Sequence, residues 1–135
     1  MAGYSGRPLA AKLEIREGFR VLVRNPPDGY RELLEGLPPG VTLAEDLPGE
    51  VEMAHLFTRS RAELAAALPE LLGRIRQDGM IWVSWPKRAS GVPTDVTEDT
   101  VRAVALPLGL VDVKVCAVDD TWSGLKLVIR KENRR

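Results

Sequence analysis

The chain has 135 residues, and its nineteen acidic and nineteen basic side chains cancel at neutral pH. That length suits a single domain (residues 1–135) able to bury its own core, and the balanced charge argues against a dedicated nucleic-acid binder. A lone cysteine, Cys116, excludes an internal disulfide; a lone histidine, His55, leaves no histidine-rich metal site; no apolar run approaches the ~20 residues of a membrane span.

In chain order, "GRPLAAKLEI" predicts a short first helix with Pro8 near its start, Leu9 and Leu13 on one face, and Gly18 as its end. "FRVLVRN" is a β-rich run ending in a Pro-Pro turn, hence the first strand. Tyr30, Leu33, Leu34 and Leu37 keep the spacing of a helix face, with Asp28 as N-cap and "LPPG" as the stop. "VTLA" and "VEMAHLF" are the second and third strands. Ser60 and Glu63 then show capping-box spacing. Leu64, Leu68, Leu71, Leu72 and Ile75 continue that helix as an apolar stripe, kinked at Pro69 and closed by Gly79. "MIWVSW" is the fourth strand. Asp95 and Glu98 repeat the capping spacing before a stripe of Val101, Val104, Ala105 and Leu108, which Gly109 ends. "VDVKVCAV" and "LKLVIRK", separated by "DDTWSG", form an antiparallel hairpin.

Strands alternating with helices imply a mostly parallel sheet. The expected fold is α/β, a Rossmann-like three-layer sandwich of strand order 2-1-3-4-6-5, its last strand antiparallel. The link from the second to the third strand is the tightest joint, because about six residues must cross with no helix. Over residues 51–131 this topology resembles the closing half of S-adenosylmethionine-dependent methyltransferases, where a helix feeds a strand through a similar "DG-x-x-W-V" turn and a final hairpin inserts an antiparallel strand. The expected order gathers the loops after strands one, three and four and the hairpin turn at the carboxyl edge, where open α/β sheets bind ligands.

Chemistry at that edge is sparse. The first strand-to-helix turn reads "RNPPDGY", whose prolines lack the N–H groups a pyrophosphate needs and whose Asp28 is an anion. Glu45, after the second strand, is a weak candidate to hold a ribose. In "WPKRASGVPTD", Lys87 and Arg88 supply cations, and Ser90 and Gly91 allow close approach, so an anion cradle is one reading. The favoured reading pairs Lys87 or Arg88 with Asp119 or Asp120, because Asp95, Glu98 and Asp99 already occupy the positive end of the following helix. Trp122, placed in the hairpin turn, is either a platform for a flat ligand or partner, or a lid over Trp85 or Pro86. Trp82 and Trp85, three apart on a strand, point to opposite faces. His55 reads as a satisfied core histidine and Cys116 as a buried small hydrophobe.

"GYSGRPLAAKL", "WVSWPKRASGVPTDVTEDTVR" and "GLVDVKVCAVDDTWSGLKLVIR" resemble the small bacterial proteins grouped as domain of unknown function 3052. The resemblance implies a small stand-alone protein and carries over no activity, cofactor or catalytic residue. The resulting expectation is a cytoplasmic, non-catalytic domain that binds a small molecule or protein partner. Its candidate residues are Trp85, Lys87, Arg88, Ser90, Asp119, Asp120, Trp122 and Ser123. The alternative is a methyltransferase-like enzyme with a non-standard nucleotide or cofactor site. The penultimate strand ends the sheet and offers a homodimer edge, partly guarded by Lys114, which leaves the oligomeric state open.

Overall fold

The computed structural model describes residues 7–135, so Gly6 and the rest of the segment before it, where the first helix was expected to begin, lie outside the described residues. The elements run α1 (Leu9–Lys12), β1 (Arg20–Arg24), α2 (Tyr30–Leu33), β2 (Thr42–Ala44), β3 (Val51–Phe57), α3 (Arg61–Leu72), β4 (Ile75–Pro86), α4 (Glu98–Ala105), β5 (Leu110–Ala117) and β6 (Trp122–Ile129). They build one six-stranded sheet of order β2-β1-β3-β4-β6-β5, the order inferred from sequence. The first four strands run parallel, and β6 runs antiparallel to both β4 and β5.

Side-chain alternation along each strand divides the core into two layers. On one face Leu22, Leu56, Ile81, Val83, Trp85 and Leu127 pack with Leu64, Leu68 and Leu71 of α3 and Val101 of α4. On the other, Val21, Met53, Phe57 and Trp82 meet Leu9 and Leu13 beside α1 and Tyr30 and Leu34 of the α2 region. Trp82 and Trp85 do lie on opposite faces. Trp82 anchors the N-terminal segment further, its indole Nε1–H donating to the Leu13 carbonyl at 3.0 Å.

Several boundaries differ from the sequence expectation, each for a local reason. Asp28 does not cap α2; Gly29 takes that position at φ 79°, and the helix is a single turn. Ser60 does cap α3, accepting from the Glu63 amide at 3.2 Å, worth about 1 kcal/mol. The Glu63 carboxylate does not reach back, however: it accepts the Thr58 hydroxyl at 2.6 Å, while Thr58 Oγ1 receives the Ser60 amide at 3.2 Å. α3 passes through Pro69 and stops at Leu72, with Gly73 rather than Gly79 as its C-cap. Ile75 therefore belongs to β4. At the start of α4, Thr97 and Thr100 cap reciprocally (3.0 and 3.3 Å) in place of Asp95 and Glu98. Asp95 instead accepts the first backbone amide of α3, from Arg61, at 2.7 Å.

The link between β2 and β3 also gains a physical explanation. Leu47 sinks into the core on the α3 face, standing in for a crossover helix. Two guanidiniums hold the main chain beside it. Arg20 donates to the carbonyls of Glu50 (2.8 Å) and Pro48, and Arg74 donates to those of Gly49 (3.0 Å) and Leu47.

Gly79 sits where β4 bulges away from β3, since Val51 pairs with Ile75 but Met53 pairs with Met80. A Cβ there would lie 2.8 Å from the Glu52 carbonyl oxygen and 3.0 Å from that of Arg76. Both obstacles are backbone and cannot rotate away. Gly79→Ala is therefore expected to destabilise the fold by about 2–3 kcal/mol, within the overpacking range, measured as a lower urea midpoint. Gly91→Ala, at φ 75° with open space around it, should cost about 1 kcal/mol through backbone conformation alone.

Candidate functional site

The carboxyl edge of the sheet is built around a buried polar chain. His55 of β3 is fully buried, as are Ser84 of β4 and, nearly so, Tyr30 of α2. The imidazole Nδ1 lies 2.7 Å from the Tyr30 hydroxyl and Nε2 lies 2.8 Å from Ser84 Oγ. A neutral imidazole has one N–H and one bare nitrogen, so one hydroxyl donates to the ring and the other accepts from it. Burial pushes the His55 pKa down to about 3 and raises that of Tyr30. The group is thus a satisfied core histidine, as expected from its mid-strand place. Phe57 stacks on its ring at 4.2 Å, and Tyr30 and Trp122 meet Phe57 edge-on at 5.2 and 5.1 Å.

Two clefts open at the rim in front of this chain. The first, of about 280 Å³, lies between the tips of β1 and β2. Val23 and Leu43 line it with Pro26, Pro27 and Tyr30, and Glu45 stands at its lip. Arg31 closes one side, donating to the Leu43 carbonyl at 2.5 Å. The second, of about 350 Å³, lies between the tips of β1 and β3 and the start of β6, lined by Asn25, Phe57, Thr58, Arg59, Glu63 and Trp122. Its position is the topological switch point, where the chain leaves β1 towards β2 on one side and β3 on the other. Asn25 holds a left-handed conformation there (φ 58°), which asparagine tolerates better than most residues.

The residues singled out in the sequence are divided by this geometry. Pro86 pairs with Trp122 and Trp85 with Ser123, and the Lys87 amide donates to the Thr121 carbonyl at 2.7 Å, so the loop after β4 and the hairpin turn do adjoin. Main chain joins them, not charge. Among the described residues neither Lys87 nor Arg88 pairs with Asp119 or Asp120. Asp119 Oδ1 instead accepts the amides of Thr121 (2.9 Å) and Trp122 (2.8 Å), the local turn that aspartate favours, and Asp120 is exposed. Ser90 is also turned inward, donating to the Lys87 carbonyl at 2.7 Å and receiving the Val92 amide at 3.2 Å. Its loop therefore turns a corner, and it straps itself to the preceding loop: Thr94 Oγ1 and the Asp95 amide both donate to the Arg59 carbonyl (2.8 and 3.2 Å).

Trp122 is the first residue of β6 rather than a loop tip. It is half-buried against Phe57, while Trp85 and Ser123 share the opposite face, so it forms no lid over Trp85. The expected strand order already brought Asn25, Thr58 and Arg59 to this rim without singling them out as site residues, and sequence reasoning missed Glu63, read there only as a capping residue. Cys116 is half-buried, and burial raises its thiol pKa. Among the described residues, no three His, Cys, Asp or Glu side chains gather to hold a metal ion, and no helix is long and apolar enough to cross a membrane.

The family described as Protein of unknown function (DUF3052) matches residues 31–131. No curated protein matches the sequence. Solved structures match over most of the chain. A S-adenosylmethionine-dependent methyltransferase from Aquifex aeolicus has a TM-score of 0.64 at 14% identity, covering 90% of this chain and 88% of that one. Fibrillarin from Aeropyrum pernix, in complex with natively bound S-adenosyl-L-methionine, has 0.61 at 14%, covering 93% and 70%. Ribosomal protein L11 methylase from Lactobacillus delbrueckii subsp. bulgaricus has 0.58 at 11%, covering 90% and 74%. At such identities the likeness is one of fold: the sheet and hairpin are those of Rossmann-like methyltransferases.

The buried imidazole makes stability depend on pH. Its folded pKa lies below the unfolded value of about 6.5, so the neutral form stabilises the fold fully above that pH. The contribution falls as pH drops, by about 1.4 kcal/mol per unit between about pH 6.5 and the folded pKa. Wild type should therefore lose about 2 kcal/mol between about pH 6.5 and 5 in urea titrations. His55→Gln, though less stable at neutral pH, should show a flat profile over the same window.

Proposed function

Because the chain belongs to the DUF3052 family, whose description assigns no activity, we propose a function from the rim itself: a non-catalytic, cytoplasmic Rossmann-like domain that binds a small adenosyl-type ligand in the cleft between β1 and β2. The observation that carries this reading is Glu45, the one carboxylate at the tip of β2 facing that cleft. A carboxylate there accepts hydrogen bonds from the two hydroxyls of a ribose. Val23 and Leu43, with Pro26 and Pro27, give apolar walls for a flat base. At about 280 Å³ the space sits near the small end of ligand sites, ~300 Å³ and upward, suiting a nucleoside more than a dinucleotide.

The same walls disfavour phosphate. Pro26 and Pro27 have no N–H to donate, Asp28 lies beside them, and the single-turn α2 supplies little dipole. An uncharged or cationic adenosyl group meets none of these penalties. The fold's kinship with methyltransferases, one of them holding S-adenosyl-L-methionine, supports the adenosyl class. The non-catalytic half of the reading rests on chemistry. His55 and Ser84 are fully buried, with Tyr30 alone of their chain reaching a cleft wall, and burial raises the Cys116 thiol pKa. The alternative, a methyltransferase-like enzyme with a non-standard site, draws on the second cleft beside the first, where an acceptor would sit.

The test is thermal melting with S-adenosylmethionine, S-adenosylhomocysteine, adenosine, ATP and NAD at millimolar concentration. A ligand binding only the native state must raise Tm. The first three should do so while ATP and NAD do not, and Glu45→Gln should weaken binding by about 1 kcal/mol, the scale of a hydrogen bond lost at an exposed lip. Curves unmoved by all three adenosyl compounds would overturn the reading; production of S-adenosylhomocysteine from S-adenosylmethionine would favour the enzyme.

A further inference from the structure

The second cleft has a chemistry of its own, and its inference stands on residues that the adenosyl reading does not use. Arg59 is exposed immediately after β3. Its carbonyl is fixed by Thr94 and Asp95, yet its guanidinium has no partner among the described residues. The backbone is thus held rigid while the charged fork remains available. Opposite it stands Trp122, half-buried edge-on against Phe57, which leaves an aromatic wall. Asn25 adds an amide whose one hydrogen bond among the described residues is a long donation, 3.4 Å, to the Phe57 carbonyl.

The neighbouring donors decide what kind of anion fits. A phosphate beside a helix start is normally held by free backbone amides. Here four of the six amides around that helix start are already engaged: Thr58 N by the Ser84 carbonyl at 2.9 Å, Ser60 N by Thr58 Oγ1, Arg61 N by Asp95 and Glu63 N by Ser60 Oγ, which leaves those of Arg59 and Ala62. Glu63 places a carboxylate in the same cleft, turned towards the Thr58 hydroxyl at 2.6 Å. A dianion would meet one cation, one anion and a cradle with most of its amides already taken. A single carboxylate needs only the two parallel N–H groups of one guanidinium. A flat apolar body attached to it would lie against Trp122.

We propose that the cleft between Asn25, Arg59 and Trp122 is a binding site for a small planar carboxylate, gripped by Arg59 and stacked on Trp122. Benzoate serves as the probe, with benzamide and inorganic phosphate as controls, and proton–nitrogen correlation spectra follow the three tryptophan indoles. Benzoate should shift the Trp122 indole resonance saturably and leave those of buried Trp82 and Trp85 in place; benzamide and phosphate should shift none. Arg59→Gln, which keeps the carbonyl contacts and so the folded spectrum, should weaken benzoate binding about tenfold or more, the scale of a lost charge-assisted pair. A benzoate shift that survives Arg59→Gln, an unmoved Trp122 indole, or phosphate binding as tightly as benzoate would each overturn the proposal. Glu45→Gln separates the two sites: it should leave benzoate binding unchanged, so failure of adenosyl binding and failure of carboxylate binding are read independently.

Discussion

His55 is buried between a tyrosine from the turn after β1 and a serine from β4, and it reaches both because β1, β3 and β4 are adjacent and parallel. The arrangement depends on complete satisfaction. An imidazole with one nitrogen left without a hydrogen-bond partner in this core would carry a desolvation penalty of about 1–3 kcal/mol, and with both nitrogens partnered that penalty is offset. The three side chains then fix the relative height of three strand tips. Phe57 transmits the same constraint to Trp122 through stacked and edge-on rings. Both clefts at the rim therefore share a back wall that cannot shift piecemeal.

The rim combines that rigid wall with loops held by main-chain contacts. The segment after β4 is tied to the hairpin turn through Lys87 and Thr121, to the loop after β3 through Thr94 and Asp95, and to the start of α3 through Asp95. Long cations along this path are thereby freed from structural duty. Lys87, Arg88 and Arg59 stand at the surface, whereas Arg102 is engaged three ways, by Glu98, Asp99 and Asp112, and couples α4 to the edge strand. Among the described residues those three cations form no ion pair, whereas the guanidinium on α4 ties its helix to the edge strand.

Strand order, the antiparallel return of β6 and the division of Trp82 and Trp85 between two faces were all legible in the sequence, because alternation and hairpin spacing encode them directly. The His55 reading was legible too, since a histidine inside "VEMAHLF" must satisfy its nitrogens locally. What the sequence concealed was competition among equivalent polar groups. Ser60, Glu63, Asp95, Glu98 and Asp28 all had spacing suited to capping, but a cap forms with whichever oxygen arrives at the right angle. Thr58 intercepted Glu63, and Asp95 served the helix before it rather than the one after. The Lys87–Asp119 pairing failed similarly, because an aspartate bonding to amides two and three residues on loses far less freedom than one meeting a long lysine. Trp122 was misplaced by a shorter turn than "DDTWSG" suggested, with the ladder beginning at the tryptophan itself.

The stretch joining β2 to β3 has an evolutionary consequence. Leu47 anchors this helix-free crossing in the core, and two arginine side chains hold the surrounding carbonyls. The residues between Ala44 and Val51 cross from the carboxyl tip of β2 past β1 to the start of β3, dipping to bury Leu47 and turning at Gly49 (φ 77°) on the way. A deletion would draw Leu47 out of the core and the carbonyls away from Arg20 and Arg74, loosening the edge strand that forms one side of the first cleft. Variation at that corner is thus limited by one apolar anchor and two guanidinium clamps rather than by the packing of a helix.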